Sequence, residues 1–168
     1  MLEQKQIKKL FYKLNAKLKA NNEKGEIGIV GGAVMCLVYN ARASTKDVDA
    51  IFEPAKIIRD LAVEIAKEEG LPEDWLNDGA KSFIQPYFQR EQVLDLSHLR
   101  VWAPDARYML AMKCISARFD TSDKDDVIFL LKNLELKKAE DVYSIIESYY
   151  PRNEIPAKTK FFIEEILA

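Results

Sequence analysis

Two aspartates, Asp47 and Asp49, are separated by Val48 and followed by the apolar run Ala50-Ile51-Phe52. On an extended chain, residues i and i+2 point to one face, with Cα atoms roughly 6.5–7 Å apart. Two carboxylates so placed repel each other, and Asp is a poor strand residue. A cation that neutralises the pair is the usual reason for a fold to keep it. Upstream, residues 26–30 (EIGIV) are short and apolar and lead into Gly31-Gly32. Glycines let the backbone approach a ligand closely. The first N–H groups of a helix after such a turn can face a phosphate. The order strand, Gly-Gly turn, helix, acidic strand therefore predicts a metal-and-phosphate site. A tight turn without a ligand is the alternative for Gly31-Gly32; the acidic pair downstream tips the balance toward function.

The Gly31-Gly32 turn, the helix and the apolar-flanked Asp47-Val48-Asp49 resemble the signature of the nucleotidyltransferase superfamily, the polymerase-β-like fold. Arg42, Ser44, Thr45 and Lys46, which lie between, resemble a bacterial branch that includes AbiEii-type toxins. The likeness covers roughly residues 25–135 and is strongest over 31–52. It implies that Asp47 and Asp49 hold Mg²⁺ (or Mn²⁺), and that Gly31, Gly32, Arg42, Ser44 and Lys113 position a triphosphate. Lys113 resembles a helix lysine that faces the nucleotide, where it supplies a point charge; an exposed helix lysine is the alternative. Asp123 and Asp126 fit the branch's pair of acids three apart, so that Asp123 orients Lys113 or acts as a general base. An acidic helix start that favours the helix dipole explains the same residues without chemistry. Asp95 is the positional candidate for the third carboxylate of polymerase-type relatives, or it marks a turn before Ser97-His98. Two departures stand out: Ala33-Val34 follows Gly-Gly where many relatives carry Ser or Thr, and Ser122 replaces a basic residue.

The elements that must position these residues follow from periodicity. Ile7, Leu10, Phe11, Leu14 and Leu18 recur at helical spacing and predict a helix over 3–20. Its lysines, among them Lys9, Lys13 and Lys17, read as a solvated face. Residues 33–40 read as a helix behind the Gly-Gly turn. Arg42 can pair with phosphate or with a surface carboxylate, and Ser44 and Thr45 can orient Asp47 or serve ordinary turn chemistry. Lys46 points opposite to Asp47 and stays outside the site. Pro54 suits the start of a helix that Gly70 caps. The segment around Trp75-Leu76-Asn77-Asp78 reads as a short helix or helical turn with no assigned chemistry, Trp75 being a core anchor. SFIQPYFQ, QVLDL and LRVWA, within 82–103, read as short strands, and the lone His98 stays outside the site. From Pro104 a helix runs through about 118, and the rest is helical packing.

The 168 residues suffice for one domain with a real core. A net charge of −2 gives no global basic footprint and argues against tight, sequence-independent nucleic-acid binding. Cys36 and Cys114 lack metal-ligand spacing and read as reduced core thiols. No apolar run approaches the roughly 20 residues of a membrane span, so a cytoplasmic protein is expected.

The expected fold is α+β: a small mixed sheet covered by helices over 1–103, then a helical C-terminal part over 104–168 packed on that core as a single compact unit. The expected function is metal-dependent transfer of a nucleoside monophosphate from an NTP to an acceptor that the sequence does not name, RNA, protein or small molecule, with a toxin–antitoxin setting by family analogy. The alternative is a catalytically degenerate module that binds a nucleotide or a partner. The oligomeric state is not legible.

Overall fold

The computed structural model describes residues 1–85, 88–116, 119 and 121–168. It divides into two compact units, one formed by residues 1–82 and 90–103 and the other by 83–89 and 104–168.

The first unit is a mixed α/β layer. A two-residue strand β1 (Leu2–Glu3) leads into helix α1 (Gln4–Ala20), and then come strand β2 (Gly25–Val30) and the short helix α2 (Gly32–Leu37). A second two-residue strand, β3 (Ser44–Thr45), precedes strand β4 (Val48–Glu53), helix α3 (Ala55–Glu69) and strand β5 (Leu76–Asn77). Strands β6 (Arg90–Asp95) and β7 (Leu99–Pro104) complete the sheet. The five-stranded order is β5-β4-β2-β7-β6, and β1 pairs separately with β3. Strand β2 runs antiparallel to β4 and parallel to β7, and β4 runs parallel to β5. The expected small mixed sheet covered by helices is therefore what the chain forms.

Strand alternation separates the two faces. Ile27, Ile29, Val48, Ala50, Phe52, Val101 and Ala103 are buried at alternate positions and make the core face. Helix α3 packs on β4, and its Trp75 neighbour donates an indole N–H to the Ala62 carbonyl at 2.9 Å. Gly70 caps α3 in the left-handed conformation that glycine tolerates.

The lysines of α1 are less solvated than their pattern suggests. Lys13 reaches Glu68 and Glu69 at 2.9 and 2.7 Å, and Lys17 reaches Glu68 at 2.6 Å. These hydrogen bonds raise the Lys13 and Lys17 ammonium groups above their ordinary range and hold Glu68 and Glu69 below theirs. The pairs align α1 with α3; being exposed, they contribute little free energy.

Several expected elements change. Helix α2 ends at Leu37 rather than reaching 40, because the chain turns at Asn40 with φ of 52°. The segment after Pro72 turns and then extends as β5 instead of forming a helix, since pairing with β4 gives its backbone partners. Residues 81–83 form a 3₁₀ turn rather than a strand, and residues 86 and 87 of SFIQPYFQ lie outside the described residues.

The second unit is helical. It contains helices α4 (Ala106–Ser116), α5 (Thr121–Asn133), α6 (Ala139–Glu147) and α7 (Ala157–Ile166). Helix α4 is described through Ser116, and the expected continuation to 118 lies outside the described residues. Tyr108 is fully buried, and its hydroxyl accepts the Gln85 N–H at 2.6 Å. The Thr159 hydroxyl donates to the Cys114 carbonyl at 2.8 Å and ties α7 to α4. Both cysteines are free and buried, as core thiols should be. No described helix is long and apolar enough to cross a membrane.

Candidate functional site

The site begins where β2 ends. Val30 lies opposite Asp49 in the antiparallel pair β2–β4. The next residue, Gly31, has φ 65° and ψ −143°, a backbone state essentially closed to other residues. This turn sends the chain straight into α2, whose N-terminus therefore lies at the end of β2. A β-carbon on Gly31 would sit 3.4 Å from Asp49 Oδ2, so the carboxylate of Asp49 faces the turn.

Asp47 stands one residue before β4 and reaches the same face. Asn77 is paired with Asp49 across β4–β5, and paired residues in a parallel ladder share a face. The Asn77 amide nitrogen donates to Asp47 Oδ2 at 3.3 Å. Asp47, Asp49 and Asn77 are thus gathered on the sheet face opposite Val48 and Ala50. Both aspartates are half-buried. Thr45, buried at 3% exposure, donates its hydroxyl to the Asp47 backbone carbonyl at 3.2 Å, which fixes the entry into the strand.

Gly32 marks the basic side of the turn. A β-carbon there would stand 2.7 Å from Arg42 Nη1 and 2.7 Å from Thr45 Oγ1. The absent side chain is the space that the Arg42 guanidinium occupies. Ser44 is half-buried in β3, where it is opposite Glu3. The loop that carries Arg42, Ser44 and Thr45 is therefore stitched to the first residues of the chain, and the Gln4 amide also holds the Leu37 carbonyl at the end of α2 at 2.9 Å.

The same sheet face continues away from the pair into a cavity of about 270 Å³, lined by Gly28, Ile51, Glu53, Lys81, Arg90 and Trp102 among others. Register explains the continuity, because Gly28 is opposite Ile51 on one side and Trp102 on the other. The indole of Trp102 lies so close over Gly28 that a β-carbon would come within 2.1 Å of it. The Arg90 guanidinium stacks over the indole at 4.2 Å from a ring centroid, a favourable cation–π geometry.

Lys113 and Asp123 meet in the helical unit. The Lys113 ammonium lies 2.7 Å from Asp123 Oδ1 and 2.7 Å from Asp126 Oδ2. Lys113 is 8% exposed and Asp126 only 2%. The three-residue spacing puts both carboxylates on one face of α5, and they close on a lysine from α4. The expected Lys113–Asp123 contact is present, and Asp126 shares it.

Asp95 is not brought to the carboxylate pair. It ends β6, three strands from β4, and pairs with Arg100 at 3.8 Å. Arg100 is level with Glu26, at the opposite end of β2 from Val30 and Asp49. The expectation of a third ligand at Asp95 fails on sheet topology, because β7 stands between β6 and β2. His98 sits in the β6–β7 turn, where its ring nitrogen meets the Ser97 hydroxyl at 2.9 Å. It stays outside the site.

Two contributors were missed by sequence reasoning. The sequence around Asn77 reads as a helical turn, and only the strand register reveals its carboxylate partner. Thr45 reads as an orienting residue outside the site, yet its hydroxyl anchors the Asp47 backbone carbonyl.

The donor set can be tested against a divalent cation. Two carboxylates on one face are hard oxygen ligands, and Asp47 is met by a neutral amide. Among the described residues no group of three or more His, Cys, Asp or Glu side chains is placed to hold a metal ion. Mg²⁺ commonly takes one or two carboxylates and completes its shell with phosphate oxygens and water. The residues present fit that mode, not a closed protein cage.

A family model described as "Nucleotidyltransferase of unknown function (DUF6036)" matches residues 5–162. No curated protein matches the chain, and no solved structure does.

Proposed function

The chain belongs to this family of nucleotidyltransferases of unknown function, and on that premise we propose that it transfers a nucleoside monophosphate from an NTP with the help of Mg²⁺. The observation that carries the reading is the convergence of Asp49, Asp47, Gly31 and Arg42 on one end of one sheet face. Asp47 and Asp49 would hold the cation. When bound, it supplies positive charge that offsets the negative charge gathering on the phosphates. The Gly31-Gly32 turn lets phosphate approach the backbone, and Arg42 supplies a fixed guanidinium beside that turn. Ser44 stands in the same stitched loop, one residue before the Thr45 hydroxyl that faces Gly32.

The reaction is an in-line displacement. An acceptor nucleophile attacks the α-phosphorus, the bond to the bridging oxygen breaks, and pyrophosphate leaves. The half-exposed site leaves bulk water to take the nucleophile's proton. The cavity beyond Ile51 gives an acceptor room on the same face. Lys113 enters this reading through its clasp with Asp123 and Asp126, as a neutralised charge that organises α4 and α5.

A second reading is favoured by one observation. Among the described residues no third acid joins the pair, and the β7 position opposite Gly28 carries Trp102 instead. With Ala33 following the glycines, a nucleotide-binding module without turnover fits the same residues.

Incubation with α-labelled NTPs, Mg²⁺ and a cell extract separates the two. Transfer of label with matching pyrophosphate release is the expected result. Nucleotide binding without any pyrophosphate establishes the module and overturns the transferase.

A further inference from the structure

The Trp75-Leu76-Asn77-Asp78-Gly79 segment has no role in nucleotide chemistry by its composition, yet each of its polar side chains has a partner. Trp75 anchors it to Ala62 of α3. Asp78 Oδ2 meets Arg59 Nη2, also on α3, at 2.9 Å. The Gly79 N–H lies 3.0 Å from Asn77 Oδ1. An N–H only donates, so that atom of the side-chain amide must be its oxygen. The amide nitrogen is thereby turned toward its two acceptors, the Asp74 carbonyl at 3.2 Å and Asp47 Oδ2 at 3.3 Å. Backbone pairing of Asn77 with Asp49 sets its height on the sheet.

We propose that Asn77 is the positioning residue of the acidic pair, holding the Asp47 carboxylate in the orientation that receives a divalent cation. The inference rests on the reading of Asp47 and Asp49 as cation ligands. A neutral donor suits this task better than Lys or Arg. It engages one oxygen of Asp47 without cancelling the charge of that carboxylate. A cationic partner on the same oxygen would neutralise it and compete with the metal. Hydrogen bonds to metal-ligating carboxylates commonly set affinity without touching the metal. The locked amide also keeps Asp47 and Asp49 on one face despite their mutual repulsion, so the site is assembled before the cation arrives.

The test titrates the full chain with Mn²⁺ alone, read by loss of the free-ion paramagnetic resonance signal, with thermal melts of the same samples. Wild type, Asp49→Asn, Asn77→Ala and Asn77→Gln are compared. The glutamine keeps the amide and its polarity but displaces it by one methylene, so it remains readable should the alanine variant unfold. The expected result is a loss of Mn²⁺ affinity of about tenfold or more in both Asn77 variants, with melting close to wild type. Wild-type binding that is lost in Asp49→Asn but unchanged in the folded Asn77 variants overturns the role of Asn77 and leaves the cation site standing. No Mn²⁺ binding by wild type overturns both.

Discussion

Gly31 and Asp49 touch across the end of the sheet: a β-carbon on Gly31 would stand 3.4 Å from the Asp49 carboxylate oxygen. Gly31 holds φ at 65°, so a side chain there is strained by the backbone before any contact is counted. Gly31→Ala should lower stability by about 1–3 kcal/mol, measured by urea unfolding, and should weaken nucleotide binding further. Unchanged stability would mean that the turn adopts another conformation in solution.

Arg42 fills the space that Gly32 leaves empty. On the phosphate reading, Arg42→Gln should weaken binding of a nonhydrolysable NTP by about tenfold, roughly the 1.4 kcal/mol of a charge-assisted contact. Arg42→Lys should recover only part of it, because a lysine lacks the planar fork. Calorimetry in low salt reads both. Full affinity in Arg42→Gln would take Arg42 out of the triphosphate site.

Lys113 is enclosed by Asp123 and Asp126. Removing this cation takes the Lys113 contact away from two carboxylates, one of them almost fully buried. Lys113→Met should destabilise the chain by about 3–5 kcal/mol in urea unfolding. Normal stability together with lost nucleotide binding would instead identify Lys113 as a phosphate ligand.

Alkaline pH should lower the stability of the chain. Burial pushes the Cys114 thiol from 9.0 up to about 12. Burial, and then the neighbouring Glu164, push the Tyr143 phenol from 10.0 up to about 12. Both shifts favour the protonated form in the folded state. Below pH 9 folded and unfolded chains both keep these protons, and the stability is fully present. Above it the unfolded chain releases them first, so stability falls as pH rises toward 12. Urea midpoints measured across that interval should decline, and Cys114→Ala should flatten part of the decline. A slope unaffected by that change would exclude the thiol as a source.

Much of this was legible in the chain because it depends on local pattern. The apolar spacing of Ile7, Leu10, Phe11, Leu14 and Leu18 defines α1, and all five are buried. The alternation of Val48, Asp49 and Ala50 already separates a core face from a site face. What depends on register was not legible. Asn77 sits opposite Asp49 only because β5 runs parallel beside β4, and two residues are too few to announce a strand. Asp95 looked eligible because it follows an apolar run, yet sheet order decides its distance from Asp49. The Lys9, Lys13 and Lys17 row looked solvated because its acidic partners are 47–60 residues away in sequence.

Asp47 and Asp49 are proposed to form a cation-dependent nucleotide site that is not needed to hold the fold. Calorimetric titration of a nonhydrolysable NTP with Mg²⁺ into wild type, Asp47→Asn and Asp49→Asn, paired with metal-free melts, tests it most directly. Binding should require Mg²⁺ and collapse in both variants. Both should melt at or above the wild-type temperature, since each change relieves repulsion between neighbours on one face. Undiminished, Mg²⁺-independent binding in both variants, or a loss of several degrees in their metal-free melts, would contradict it.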